Sequence, residues 1–79
     1  MDSNNWILKV YNNDTTKYEQ VIDTFCKVLD ISPDRAGLYA WDIHHRGEAV
    51  VAIAPKETVL EMEKEFATIG LETSKIKDE

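Results

Sequence analysis

Residues 40 to 51, AWDIHHRGEAVV, decide how the middle of this chain folds. Ala40 and Ile43 have the spacing of one helix face, and Gly47 stands where helices commonly end in a left-handed residue. The apolar run that follows predicts a strand. Two histidines, His44 and His45, stand near the end of the helix. Successive helical side chains differ in direction by about 100°, so these two point to different faces. The stretch therefore predicts a helix, a turn and a strand, with His44 on the face of Ala40 and Ile43.

The segment before this stretch predicts a strand and two helices. WILKVY, residues 6 to 11, is rich in β-branched and aromatic residues, which favours a strand, and the NNDTT that follows is typical of a turn. Thr16 and Glu19 have the spacing of a capping box, which predicts the start of the first helix. Ser32 before Pro33 predicts the start of the second helix. Apolar residues at helical spacing mark the inward faces: Tyr18, Val21, Ile22, Phe25 and Leu29 in the first helix, and Ala36, Tyr39, Ala40 and Ile43 in the second.

The segment after it predicts a strand, a third helix and a last strand. AVVAIA, residues 49 to 54, is a continuous apolar run, which predicts a strand buried on both faces or nearly so. Pro55 begins the third helix and Gly70 ends it, and LETSKI, residues 71 to 76, forms a short final strand. The inward face of the third helix is predicted at Val59, Leu60, Met62, Phe66 and Ile69.

We predict one α+β domain over residues 6 to 77, preceded by a short disordered lead-in at residues 1 to 5. The order of its elements is β-α-α-β-α-β, with a three-stranded antiparallel sheet covered by helices. Helices must cover the sheet because three short strands cannot bury their own apolar face.

Composition argues against several classes of function. The net charge of −6 argues against nucleic acid, whose phosphates require clusters of Lys and Arg. Cys26 is the only cysteine, so no internal disulfide is possible. Adjacent histidines diverge on a helix and have no further ligands at usable spacing, which argues against zinc, and no cofactor is predicted. Without a long apolar run, signal peptide or lipidation motif, the expectation is a soluble intracellular protein.

The predicted topology brings distant polar residues together. About three residues join the first two helices, so we expect an antiparallel hairpin that places residues 12 to 18 beside residues 40 to 45. Asn12, Asp14 and His44 then lie at the mouth of a small pocket. An amide oxygen, a carboxylate and a neutral imidazole nitrogen can accept the three hydrogen bonds of an ammonium group. The partial negative charge at the end of the second helix also favours a cationic ligand. The apolar walls of this pocket are predicted at Val10, Tyr18, Val21, Ala40 and Ile43.

These residues resemble the ClpS adaptor family of the bacterial and chloroplast N-end rule pathway. The resemblance rests on VYNND-T-KYEQVIDTF, on R-A---A-DIHHRGEAVV and on a glutamate in the third helix. The family pattern is an N-D-D loop followed by T-P-M-E-F-V, and later M-x-x-V-H-x-x-G. The resemblance covers about residues 6 to 77, and the paired spacing of N-x-D and H-x-x-G makes it fairly specific.

The resemblance implies an adaptor and not an enzyme. Such adaptors bind the free α-amino group and bulky first residue of N-degron substrates, usually Leu, Phe, Tyr or Trp. They deliver the substrate to a Clp AAA+ unfoldase of the ClpA or ClpC type, in the bacterial cytoplasm or the chloroplast stroma, with no nucleic acid or membrane as partner. Asn12, Asp14 and His44 fall on the positions that hold the α-amino group, and Glu57 on a position that contacts the unfoldase. The resemblance places the side-chain pocket at Val10, Tyr11, Thr16, Tyr18, Val21, Ala40, Ile43 and Leu71.

The chain also departs from the family pattern. Asn13 replaces the middle acid of the loop, which removes one charge near the ammonium group, and Lys17 replaces the proline. Tyr18 and Ala40 replace two methionines that shape the pocket, so one wall is bulkier and the other smaller, and the preferred first residue stays open. About five residues precede the first strand, whereas the family carries an N-terminal extension needed for delivery.

Two other classes of function stay open at this point. The changes at Tyr18 and Ala40 and the short N-terminus favour a ClpS-like interaction domain with altered or lost N-degron binding. The ribosomal stalk C-terminal domain has a related architecture and binds translation factors through helices. An enzyme that uses His44 and Asp14 as an acid–base pair has less support, because the sequence supplies no evident nucleophile, metal site or phosphate loop.

Overall fold

The computed structural model describes residues 5 to 78 and has the element order that the sequence predicts. Its three strands form one antiparallel sheet in the order β2-β1-β3, so the predicted fold class is confirmed. Within residues 5 to 78, no helix combines the length and the apolar character needed to cross a bilayer. The elements are β1 (Asn5–Tyr11), α1 (Tyr18–Leu29), α2 (Pro33–Arg46), β2 (Glu48–Pro55), α3 (Lys56–Ala67) and β3 (Thr73–Lys77).

The boundary of the domain differs slightly from the expectation. β1 begins at Asn5, which the sequence analysis assigns to the lead-in. The carbonyl oxygen of Asn5 accepts a hydrogen bond from the backbone N–H of Asp78 at 3.0 Å. The rest of the predicted lead-in, residues 1 to 4, lies outside the described residues.

The central strand shows that the sheet has one covered and one open face. Leu8 and Val10 are fully buried, whereas Lys9 between them is only half-buried. On the open face, Lys9 Nζ donates to a carboxylate oxygen of Glu48 at 2.7 Å. This hydrogen bond, and the charge of Glu48 itself, raise the pKa of Lys9 above its ordinary value.

The prediction that the second strand is buried on both faces is wrong. β2 lies at an edge of the sheet, where Val51 is buried but Val50 and Ile53 are 48% and 56% exposed. Ile53 and Ile76 flank Ile7 across the three strands on the open face. Such a row of β-branched side chains stabilises the sheet by lateral packing, so a continuous apolar run does not require a second covering layer.

The core lies between the sheet and the three helices. Phe25 of α1 and Phe66 of α3 are fully buried and meet edge to face, with ring centroids 5.1 Å apart. Tyr39 of α2 packs edge-on against Phe25 at 6.0 Å, so one ring from each helix meets at this point. Leu60 was predicted to face the core, but it is 38% exposed on α3.

The predicted ends of α2 are confirmed, whereas the predicted start of α1 is wrong in its capping. The Ser32 side chain accepts a hydrogen bond from Arg35 N at the start of α2. Gly47, with a φ of 88°, ends α2 by donating to the carbonyl oxygen of Ile43 at 2.8 Å, as predicted. At α1, in contrast, Lys17 is the N-cap and no side chain caps it, so the predicted capping box does not form.

Candidate functional site

A cavity of about 170 Å³ opens where four segments of the chain meet. These segments are the loop between β1 and α1, the first turn of α1, the second half of α2, and the connection between α3 and β3. Its apolar walls are formed by side chains that are buried or packed between the two helices, and its mouth is polar. The lining consists of Asn12, Asn13, Asp14, Thr16, Tyr18, Val21, Ala40, Ile43, His44 and Leu71.

The pairing of α1 with α2 creates the apolar part of this cavity. Residues 30 to 32 connect the two helices, and Asp30 ends α1 in the left-handed conformation with a φ of 54°. The hydroxyl group of Tyr18 donates to the carbonyl oxygen of Gly37 at 3.2 Å, which fixes the phenol ring against α2. Tyr18 therefore forms one wall of the cavity although 44% of its surface is exposed. Ala40, which is buried, contributes little volume and leaves space beside it.

The polar mouth is held between the β1–α1 loop and the end of α2. The backbone N–H of Asn12 donates to the carbonyl oxygen of Gly47 at 2.9 Å, which ties the loop to the residue that ends α2. The Asn12 side-chain amide donates to Asp14 Oδ1 at 3.3 Å, so its own oxygen is left to accept. Neither ring nitrogen of His44 has a hydrogen-bond partner among residues 5 to 78. Three acceptor groups thus surround one opening.

Asn13 organises this loop, a role that sequence reasoning missed. Its side-chain oxygen accepts from the backbone N–H and the hydroxyl of Thr15, at 2.9 and 2.7 Å. Its amide nitrogen donates to the carbonyl oxygen of Gly70, after α3. A carboxylate at this position could make only the first set of bonds, because it has no donor. The sequence feature that could have indicated this role is an asparagine two residues before a threonine, a spacing that favours an Asx turn.

Thr16 makes a second connection to the same turn. Its hydroxyl donates to the carbonyl oxygen of Ile69 at 2.7 Å, instead of capping α1. Gly70 has a φ of 84°, and a Cβ atom there would lie 3.2 Å from the Asn13 amide nitrogen. The turn after α3 is therefore closely fitted to the loop that carries Asn12 and Asp14.

Two residues predicted in the side-chain pocket lie elsewhere. Val10 is fully buried in the core, and Tyr11 donates to or accepts from Ser74 Oγ at 2.9 Å on β3. Neither lines the cavity. The reason is the alternation of a strand, since successive side chains point to opposite faces of the sheet and β1 only leads the chain to the cavity.

Glu57 lies far from this cavity, in the exposed first turn of α3. It borders a shallow depression with Trp6, Lys56 and Lys77, in which Lys56 Nζ lies 5.2 Å from the Trp6 ring centroid. The cavity contacts the turn after the other end of α3. A 12-residue helix is about 18 Å long, so the two places are separated by roughly that distance.

The polar groups at the mouth determine which ligands suit the cavity. Within residues 5 to 78, no group of three His, Cys, Asp or Glu side chains is placed to hold a metal ion. The acceptors at the mouth suit a cationic group with several donors, and the half-charge at the C-terminal end of α2 is negative and favours the same ligand.

A comparison with protein-family models shows to which family the chain belongs. Residues 1 to 72 match the family described as "ATP-dependent Clp protease adaptor protein ClpS". The chain belongs to the ClpS family. The resemblance seen in the sequence is thereby confirmed, and ClpS proteins are by that description adaptors of the Clp protease.

A solved ClpS structure shows the same fold. The chain superposes on Agrobacterium tumefaciens ClpS2 bound to L-phenylalaninamide with a TM-score of 0.82, at 21% sequence identity. The match covers 92% of this chain and 98% of that one. A search among curated protein sequences finds no match. The structural likeness thus extends over the whole ClpS domain, including the elements that enclose the cavity.

Proposed function

We propose that this ClpS-family chain is a non-enzymatic adaptor that binds the free α-amino group and the bulky first side chain of substrate proteins. The observation that carries the proposal is the cavity with acceptors at its mouth and apolar walls behind them. L-phenylalaninamide, the ligand of the related ClpS2 structure, combines a free amino group with an apolar ring. The cavity in this chain offers a complementary surface to both parts of such a ligand.

The α-amino group would be held by three acceptors. An ammonium group has three donors and no acceptor, and it would meet the side-chain oxygen of Asn12, the carboxylate of Asp14 and a neutral ring nitrogen of His44. Charge-assisted hydrogen bonds of this kind are shorter and stronger than those between neutral groups. Acetylation of the substrate removes the charge and two donors, so it removes the basis of recognition.

The first side chain would enter between α1 and α2. Val21, Ile43 and Leu71 are buried and give the cavity an apolar floor, while Tyr18 and Ala40 set its width. An aromatic wall on one side and free space beside a small residue on the other suit a large planar or branched side chain. We therefore propose first residues of the Leu, Phe, Tyr and Trp type.

Delivery to a Clp AAA+ unfoldase of the ClpA or ClpC type would use a different surface. Glu57 is exposed and lies roughly the length of α3 from the cavity, so the unfoldase and the substrate could be bound at the same time. We further propose the bacterial cytoplasm or the chloroplast stroma as the location of this activity.

Fluorescence anisotropy with a peptide series tests this proposal. The peptides differ only in the first residue, taken from Leu, Phe, Tyr, Trp, Ile, Val, Met, Ala and Arg, and each is paired with its N-acetylated form. We expect saturable binding of one or more bulky residues that acetylation abolishes. If no free N-terminus binds while a folded partner is captured, the chain is an interaction domain with an inactive cavity.

Binding should also weaken on acidification. A neutral His44 accepts a hydrogen bond from the ammonium group, whereas the protonated ring has no acceptor and repels the ligand. Anisotropy titrations with one peptide at several pH values measure the effect.

The His44→Gln variant, which keeps His45, serves as the matched control for this experiment. Glutamine retains an acceptor that does not titrate, so the pH dependence should largely disappear. Persistence of the full dependence in this variant, or a flat profile in the unmodified protein, would refute the assignment.

A further inference from the structure

The second histidine of the HH pair belongs to an aromatic surface beside the cavity. Trp41 and His45 lie one turn apart on α2, and their rings stack with centroids 3.6 Å apart and planes at 26°. His45 Nδ1 lies 3.0 Å from the carbonyl oxygen of Trp41, which holds the imidazole in place. The His45 ring meets the His44 ring edge to face at 5.2 Å. The three rings thus continue from the cavity mouth onto the outer face of α2.

This surface is not needed for the core or for the first residue of a ligand. Trp41 is 57% exposed, and neither Trp41 nor His45 lines the cavity. The indole N–H of Trp41 donates no hydrogen bond to any residue from 5 to 78. A large ring held by stacking and still open to solvent offers both an apolar face and a free donor.

We propose that Trp41 and His45 bind the second and third residues of the substrate, with a preference for apolar or aromatic side chains there. This inference rests on the proposed function, because it takes the first residue to be seated in the cavity. With the α-amino group at the mouth, the substrate chain must leave past the residues that border it, and His44 is one of them. The aromatic surface is continuous with that border.

Simple geometry places these substrate residues within reach of the rings. Consecutive Cα atoms are about 3.8 Å apart, so the second and third residues extend roughly 4 to 8 Å from the first. The His45 ring lies 5.2 Å from that of His44, and the Trp41 ring a further 3.6 Å away. An extended segment that crosses α2 would therefore place one side chain on the rings and a backbone carbonyl near the indole N–H.

The stacking also prepares Trp41 for binding. A freely rotating tryptophan loses side-chain freedom when a ligand orders it, and this loss opposes binding. His45 already restricts the indole ring, so less freedom remains to be lost. This assigns His45 a positioning role and Trp41 the direct contact.

The test measures binding by three ligands that share a phenylalanine first residue: phenylalaninamide, a peptide with glycine at positions two and three, and one with leucine there. We expect the leucine peptide to bind more tightly than the glycine peptide. Trp41→Ala should weaken binding of the leucine peptide about three- to tenfold and change phenylalaninamide binding by less than about twofold, since one aromatic contact is removed. Trp41→Phe should restore part of the preference, and His45→Ala should reduce it.

Ile76→Ala supplies the control, because Ile76 is 52% exposed on β3, away from α2, and does not line the cavity. It should leave the binding of all three ligands unchanged. Equal binding of the leucine and glycine peptides by the unmodified protein would overturn the proposal. So would a Trp41→Ala variant that loses phenylalaninamide and peptide binding to the same extent. Failure of the unmodified protein to bind phenylalaninamide, together with failure to bind every other bulky first residue of the peptide series, would instead refute the underlying function.

Discussion

Replacing His44 by alanine should weaken binding of a peptide with a free N-terminus by about 1.5–3 kcal/mol, which corresponds to roughly ten- to 150-fold in Kd. The ammonium group is charged, so the loss of one acceptor leaves a strong donor without its protein partner. His44 is well placed for this role because it lines the mouth and its ring nitrogens have no hydrogen-bond partner among residues 5 to 78. Isothermal titration calorimetry with a peptide carrying glycine at positions two and three measures the change.

The change at His44 must be separated from a general loss of structure. His44 is exposed at the end of α2, so the circular dichroism spectrum and the unfolding midpoint should be nearly unchanged. Leu38→Ala on the same helix should bind the peptide as the unmodified protein does. An effect of His44→Ala smaller than a factor of two would show that the imidazole does not hold the amino group.

Replacing Phe25 by alanine should lower the free energy of unfolding by about 3–5 kcal/mol, because a buried ring is lost and a cavity is left behind. Phe25 is fully buried, and its ring contacts Phe66 of α3 and Tyr39 of α2 edge to face. A chain of 79 residues has a total stability of about 4–12 kcal/mol, so this single change removes a large share of it. Urea denaturation followed by circular dichroism measures the loss.

The milder Phe25→Leu variant keeps the measurement possible if the alanine variant is largely unfolded. It should lose less stability than Phe25→Ala, since most of the apolar volume is retained. Leu60→Ala provides the contrast, because Leu60 is 38% exposed on α3 and should cost much less. A loss below about 1 kcal/mol for Phe25→Ala would contradict the central place of this ring in the core.

Local sequence signals predicted the helices and strands well where the residues that determine an element lie within one turn of it. Ser32 followed by Pro33 predicted the start of α2 and Gly47 predicted its end, because the caps depend on residues within one turn. The order of strands and helices followed from periodicity in the same way. The capping box at Thr16 failed because the threonine hydroxyl found a distant acceptor, the carbonyl oxygen of Ile69. A contact between residues 53 positions apart is not visible in a local pattern.

The arrangement of the candidate site could likewise be predicted only where it follows from the order and packing of neighbouring elements. Asn12, Asp14 and His44 do meet at one opening, because the hairpin of α1 and α2 fixes their relation. Val10 and Tyr11 were placed in the pocket, but the pleat of β1 directs them to the core and to Ser74. The role of Asn13 depends on a hydrogen bond to Gly70 across the fold, and only the structure reveals it.

An NMR titration of the ¹⁵N-labelled protein with phenylalaninamide and with its N-acetylated form tests the central claim most directly. The claim predicts saturable shifts with the free amine that concentrate on the residues around the cavity: Asn12, Asn13, Asp14, Tyr18, Val21, Ala40, Ile43, His44 and Leu71. It also predicts that the acetylated form leaves these signals in place. Shifts of equal size with both ligands, or shifts centred away from the cavity, would contradict recognition of a free amino terminus at this site.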